Sequence, residues 1–266
     1  MISSNNNTNS QSIQKITPAN INFSRIHMHC KKDHGIWQDL GRGKAILNSP
    51  EQLAQYFHSY GSMVSQQWNE IKNALHINPQ HLDIIDYGCG QGVGTIQIFD
   101  HLRLGGMPNC TDQAFESIIK KNLLKTVSNV NLIEPSGIAL SKAYKILDFY
   151  PTNSVFNCIN KKLDDLNIKD LNISKSSTKL HLFSNILDID TFDQLALVKK
   201  VLSIKGNHYI LAVSPTRSDG GKRMQDTFKN LIENNNVHSS EKWSFTYLTQ
   251  ANQLQPHNAF IIHLEV

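Results

Sequence analysis

LDIIDYGCGQGVG, at residues 82–94, opens with an apolar run (82–85) of the length of a buried strand. Asp86 follows, and then glycine falls at every second position: Gly88, Gly90, Gly92 and Gly94. Residues 95–104 carry a helix-like pattern. Strand, glycine loop and helix, in that order, make the first half of a nucleotide-binding βαβ unit. The glycines let the backbone pass through positive φ and come close to a ligand. The loop alone also suits dinucleotides and flavins. No Lys-Ser or Lys-Thr follows it, so it is not a phosphate-cradling P-loop.

Outward from this stretch, strands and helices alternate, which predicts an α/β protein. A segment at 105–129, with Phe115, Ile118, Ile119 and Leu123, reads as an inserted helix. Residues 130–133 are the second strand, ending in Glu134; 154–159, 179–183 and 208–213 are the third, fourth and fifth. Leu140, Ala143, Tyr144 and Leu147 share one helical face, residues 192–202 form another helix, and Met224, Phe228, Leu231 and Ile232 mark the next. Two strands close the chain, 243–248 and 259–265, joined by a loop rather than a helix.

Upstream, residues 1–19 are rich in Asn, Ser and Gln and read as a disordered tail. Ser49-Pro50-Glu51 reads as N-cap, first-turn proline and first-turn acid. Leu53, Tyr56, Phe57 and Tyr60, then Val64, Trp68, Ile71 and Leu75, give one bent helix or two, interrupted at Gly61. The expected organisation is a tail (1–19), an N-terminal cap with a helical extension (20–79), and an α/β domain (80–266).

The pattern D-x-G-x-G-x-G, followed by βα repeats and a terminal hairpin, resembles the class I S-adenosylmethionine-dependent methyltransferases. The resemblance implies a seven-stranded, mostly parallel, doubly wound sheet with a C-terminal antiparallel hairpin. It implies S-adenosylmethionine as cofactor, with Asp86, Gly88, Cys89, Gly90, Gln91 and Gly92 around its methionine end. Glu134, in LIEPSG, would take the ribose hydroxyls, with Pro135 beside it, although the inserted segment stretches its distance from the glycine loop. Adenine contacts are expected where the third strand ends, at Ile159, Asn160 and Lys161, and Ser184 and Asn185 would stand beside the methyl group. The fourth strand departs from the D/N-P-P-Y/F pattern of nucleobase-amino methyltransferases, and no Pro-Cys nucleophile is present. GCGQG, IEPS and HLFSNILDI are similar to an uncharacterised bacterial group of methyltransferase-like domains, over residues 49–266. That group supplies no substrate. The expected activity is methyl transfer to an unidentified acceptor (small molecule, protein or RNA), and the alternative is a non-catalytic module that binds cofactor or a partner.

Two further segments carry polar chemistry. Residues 214–223 include Arg217, Lys222 and Arg223, which could hold an anionic substrate or form a solvated turn. His27, His29, Cys30 and His34 are ligand-type residues without a standard zinc spacing. No metal is expected there; the segment reads as a substrate cap in which one histidine could act as a base. Cys158 reads as a core residue. Hydrophobic residues make up 39% of the 266, enough for a core, and a net charge of +4 gives no support to nucleic-acid binding. Four cysteines without C-x-x-C spacing fit a reducing compartment. With neither signal peptide nor membrane span in the sequence, a cytoplasmic location is expected, host-directed secretion being left open. Oligomeric state is not legible.

Overall fold

A computed structural model describes residues 15–30, 34–43, 46–103, 123–187, 189–216, 218–248 and 254–266. The strands are β1 (Leu82–Tyr87), β2 (Val127–Ile133), β3 (Val155–Ile159), β4 (Thr178–Ser184), β5 (Asn207–Pro215), β6 (Val237–Leu248) and β7 (Leu254–Glu265). They form a seven-stranded sheet in the order β3-β2-β1-β4-β5-β7-β6. Pairing is parallel from β3 through β5, and β7 enters antiparallel between β5 and β6. The chain reverses direction across the sheet between β1 and β4, which opens a crevice at their carboxyl ends.

Every residue of β1 is buried, because helices cover both faces. Leu82 and Ile84 pack toward α1 (Phe23–Met28), α2 (Pro50–Ala74), α3 (Val93–Arg103) and α4 (Gly137–Leu147). Ile85 and Tyr87 pack toward α5 (Gln194–Val201) and α6 (Ser218–Asn234). α2 is one continuous helix, capped by the Ser49 hydroxyl, which accepts from the Gln52 N–H at 3.1 Å. Gly61 sits inside it because a Cβ there would lie 3.3 Å from Phe57 and 3.4 Å from His27. Phe57, Val64, Trp68, Ile71 and Leu75 of this helical region share one core with β1, β2 and β4.

The strands run beyond their apolar stretches. β2 begins at Val127 because the polar residues at its start are paired: the Asn129 amide donates to Asp83 at 2.7 Å, and the Asn131 amide to the Asn172 carbonyl at 2.9 Å. Ile16, read from composition as tail, packs against the core, and the Thr17 carbonyl accepts from the Ile21 N–H at 2.9 Å. Most of the expected inserted helix lies outside the described residues; Leu123 belongs to a 3-10 turn (Leu123–Thr126) leading into β2. Cys158 is exposed rather than core, because β3 is an edge strand. Among the described residues no helix is long and apolar enough to cross a membrane.

Candidate functional site

The carboxyl ends of β1, β2, β3 and β4 surround a cleft of about 340 Å³. The glycine loop forms its floor and is fixed by backbone bonds: the Cys89 N–H donates to the Ile133 carbonyl at 2.9 Å, and the Gly92 N–H to the Cys89 carbonyl at 2.7 Å. Gly88, Gly90 and Gly92 all have positive φ, at 64°, 52° and 77°. Their surroundings differ. A Cβ on Gly92 would lie 3.2 Å from Leu147 and 3.3 Å from Ala143, so this glycine brings the loop down onto α4. A Cβ on Gly90 would meet nothing within 4 Å, and Gly90 lines the cleft. Gly90 is therefore the point where a ligand can approach the backbone.

Glu134 follows the last residue of β2 on the cleft wall. One carboxylate oxygen accepts from the Gly90 N–H at 3.0 Å and the other from the Ser136 N–H at 2.9 Å. Each oxygen keeps lone-pair capacity for a further donor. Burial pushes the Glu134 pKa up, and the two N–H donors partly oppose this. Asp86 lies wholly buried beneath the loop, one oxygen accepting from the Thr95 hydroxyl at 2.7 Å. Its other oxygen is buried with no hydrogen-bond partner. Burial raises the Asp86 pKa to about 7, the bonds to Thr95 pull against it, and the nearby Glu134 charge adds to the rise.

The N-terminal segment closes one side of the cleft through Ile46, Leu47 and Tyr56. It is tied down at Ser136, the N-cap of α4, whose hydroxyl donates to the Leu47 carbonyl. Opposite, at the end of β4, Ser184 and Asn185 line the wall. Neither side chain takes up a proton near neutral pH.

The site residues expected from sequence divide into three groups. Gly88, Gly90, Glu134, Pro135, Ser184 and Asn185 line the cleft together. Asp86, Cys89, Gln91 and Gly92 belong to the loop but support it from beneath. Gln91 is buried, its amide donating to the Leu53 carbonyl at 2.8 Å, so its side chain ties the loop to α2. The Cys89 side chain is likewise buried. Asn160 braces β3 against the turn after β2, its amide donating to the Glu134 and Pro135 carbonyls at 2.9 Å each. Any ligand contact there must come through its oxygen. Lys161 is turned away and ion-paired with Asp170 at 2.8 Å.

Of the third group, His27 and His29 are described, and neither is among the described residues that line the cleft. His27 is held between α1 and α2, with Nε2 3.0 Å from the His58 carbonyl and its ring stacked on Phe23. His29 donates to the Arg25 carbonyl of its own helix at 2.7 Å. These contacts tie both histidines to the N-terminal helices. Arg217 lies outside the described residues, as does the side chain of His34. Among the described residues no three His, Cys, Asp or Glu side chains gather to hold a metal.

Sequence reasoning missed Tyr56, Leu163 and Ile186, which also line the cleft. Leu163 and Ile186 lie within a few residues of strand ends, and extending the carboxyl-end rule past the first residue finds them. Tyr56 carried no such signal; it belongs to the apolar stripe of α2.

No protein-family model matches the chain, and no curated protein matches it. Solved structures overlap with it loosely. A SAM-dependent methyltransferase from Leishmania major shares 12% identity, over 85% of this chain and 82% of that one, at a TM-score of 0.44. An rRNA methylase from Streptococcus thermophilus shares 12%, over 83% and 100%, at 0.39. A precorrin-8w decarboxylase from Methanobacterium thermoautotrophicum shares 12%, over 75% and 89%, at 0.37. All three overlaps fall below a TM-score of 0.5 and assign no activity. The described chain itself has an open α/β sheet with one antiparallel strand, β7, and a cleft at its topological switch point.

Proposed function

We propose that this chain is a class I S-adenosylmethionine-dependent methyltransferase acting on an acceptor that is a small molecule, a protein or an RNA. The observation that carries this reading is the pair of carboxyl groups around Gly90. Glu134 presents two oxygens with remaining acceptor capacity, which suits a ribose diol. Asp86 keeps an unpartnered oxygen beneath the same loop. Glu134 would serve the ribose of either cofactor, but an ionised Asp86 beneath the loop opposes a dinucleotide pyrophosphate there and favours a ligand whose near end is cationic. S-adenosylmethionine has such an end, in its ammonium and sulfonium groups.

Gly90 would admit the methionine part, Glu134 would hold the ribose, and Pro135 and Leu163 would bound the adenine. When bound, the cofactor supplies a methyl group already activated by the sulfonium. The chain's own task is to orient the two reactants and exclude water. Ser184 and Asn185 offer hydrogen bonds but no base. Besides Glu134, the charged groups lining the cleft among the described residues are Lys162, Asp164 and Asp190, and an acceptor that needs to lose a proton would have to use one of them or water.

Thermal unfolding with and without S-adenosylmethionine and S-adenosylhomocysteine tests the reading. Ligand at a hundredfold its Kd adds about 2.7 kcal/mol, which raises the midpoint of a chain this size by roughly 5–10 °C. We expect that shift in the wild type and its loss in Glu134→Ala. Absence of any shift in the wild type refutes the proposal. Cofactor binding without transfer of labelled methyl to any cell fraction favours the non-catalytic alternative.

A further inference from the structure

We infer that Gln67 and Trp68, neighbours on α2, are positioning residues that set the hydrogen-bonding edge at the reacting end of the cleft. The inference rests on the methyltransferase reading given above.

Asn185 is the one non-glycine at positive φ among the described residues, at 56°. A left-handed conformation costs a non-glycine residue roughly 1–2 kcal/mol, less for Asn, and persists where the surroundings impose it. Here they impose it twice. The Asn185 backbone N–H donates to the Val213 carbonyl at 2.8 Å. Its side-chain amide forms a closed ring with that of Gln67: Asn185 Nδ2 donates to Gln67 Oε1 at 2.8 Å, and Gln67 Nε2 donates to Asn185 Oδ1 at 2.9 Å. One residue further along α2, the Trp68 indole N–H donates to the Ser184 hydroxyl oxygen at 3.1 Å. Gln67 and Trp68 are both completely buried.

Packing alone does not require this arrangement. Gln67 is buried and Asn185 half-buried, so an apolar side chain could fill the space that the Gln67 amide takes, and a phenyl ring would fill most of the indole volume. The polar atoms instead fix what β4 presents to the cleft. With the Trp68 N–H bound to its oxygen, Ser184 keeps its hydroxyl proton to donate. With one side of its amide closed on Gln67, Asn185 keeps one N–H and one lone pair. Trp68 also packs over Gly94, where a Cβ would lie 3.4 Å from the indole ring. α2 thereby spans the start of α3 and the end of β4.

S-adenosylmethionine and S-adenosylhomocysteine differ only at the transferred methyl and its positive sulfur, so the ratio of their Kd values reads the geometry beside that methyl. A merely structural role moves both Kd values together and leaves the ratio alone. We expect Gln67→Leu and Asn185→Gly each to change the ratio by about fivefold or more, glycine keeping the φ of 56° without strain. We also expect the Gln67→Leu, Asn185→Gly double variant to change it no further than Asn185→Gly alone. Trp68→Phe and Ser184→Ala form a second, independent cycle with the same expected pattern, and it decides the matter if Gln67→Leu fails to fold. Folded variants that keep the wild-type ratio, or effects that add in the double variants, overturn the inference while leaving the methyltransferase reading intact. A wild type that binds neither ligand overturns both.

Discussion

Replacing Asp86 by Asn should make the ligand-free protein more stable relative to wild type as the pH rises. Asp86 is fully buried with one oxygen unpartnered, and its pKa rises from 3.8 to about 7 on folding. The folded state therefore holds this proton more tightly than the unfolded chain does. The resulting stability is complete below pH 3.8 and is lost as the pH climbs to about 7. From pH 5 to pH 8 the loss comes to about 2.5 kcal/mol, at 1.36 kcal/mol for each pH unit over which the two states differ by one proton. Asn keeps the bond from Thr95 and does not titrate, so the variant escapes this loss. Urea unfolding of both proteins at pH 5, 6, 7 and 8 measures it: the difference, variant minus wild type, should grow by about 2.5 kcal/mol across the series. A difference that stays constant, or grows toward acid pH, refutes the reasoning. A costly buried carboxylate is what a cationic ligand can use, so the same variant should bind S-adenosylmethionine more weakly at pH 8.

The two glycines should separate stability from binding. Gly90→Ala meets open space and costs only the left-handed strain of about 1 kcal/mol, yet it should abolish the thermal shift with S-adenosylhomocysteine. Gly92→Ala adds close contacts with Leu147 and Ala143 to the same strain, and should lower the midpoint in proportion to about 2–3 kcal/mol. On the far face of the sheet, the Tyr87 hydroxyl, His181 and His208 form a buried chain at 3.1 and 2.9 Å, ending 2.8 Å from the Ile204 carbonyl. Burial, the largest cause, lowers the His208 pKa to about 4. Its folded-state value lies below the unfolded 6.5, so stability is lost as the pH falls between them. Wild type minus His208→Gln should drop by about 2.5 kcal/mol from pH 6.5 to pH 4. A flat difference in melts over that range contradicts a neutral histidine pair.

The strand–loop–helix unit at 82–103 was legible because its signals are local: an apolar run, spaced glycines and a helical period within a few turns of chain. Glu134 was legible for the same reason, as an acid at a strand end. Gln91, Lys161 and His27 were not, although each lies in or beside a segment whose place was expected. The direction of a side chain depends on partners elsewhere, and the partner is Leu53 for Gln91, Asp170 for Lys161 and His58 for His27. Gln67 and Trp68 show the limit most plainly. In sequence Trp68 is one member of an apolar stripe, and its contact with Ser184 spans 116 residues. Nothing local distinguishes it from Ile71 or Leu75.

The central claim is that the cleft at Gly90 and Glu134 holds S-adenosylmethionine rather than a dinucleotide. Titration calorimetry of the wild-type chain with S-adenosylhomocysteine, NAD and ATP, run side by side, tests it most directly. Saturable one-to-one binding of S-adenosylhomocysteine, weakened by both Glu134→Ala and Gly90→Ala, with no heat from NAD or ATP, is the predicted result. Tighter binding of NAD, or no binding of S-adenosylhomocysteine by a folded wild-type chain, would contradict it.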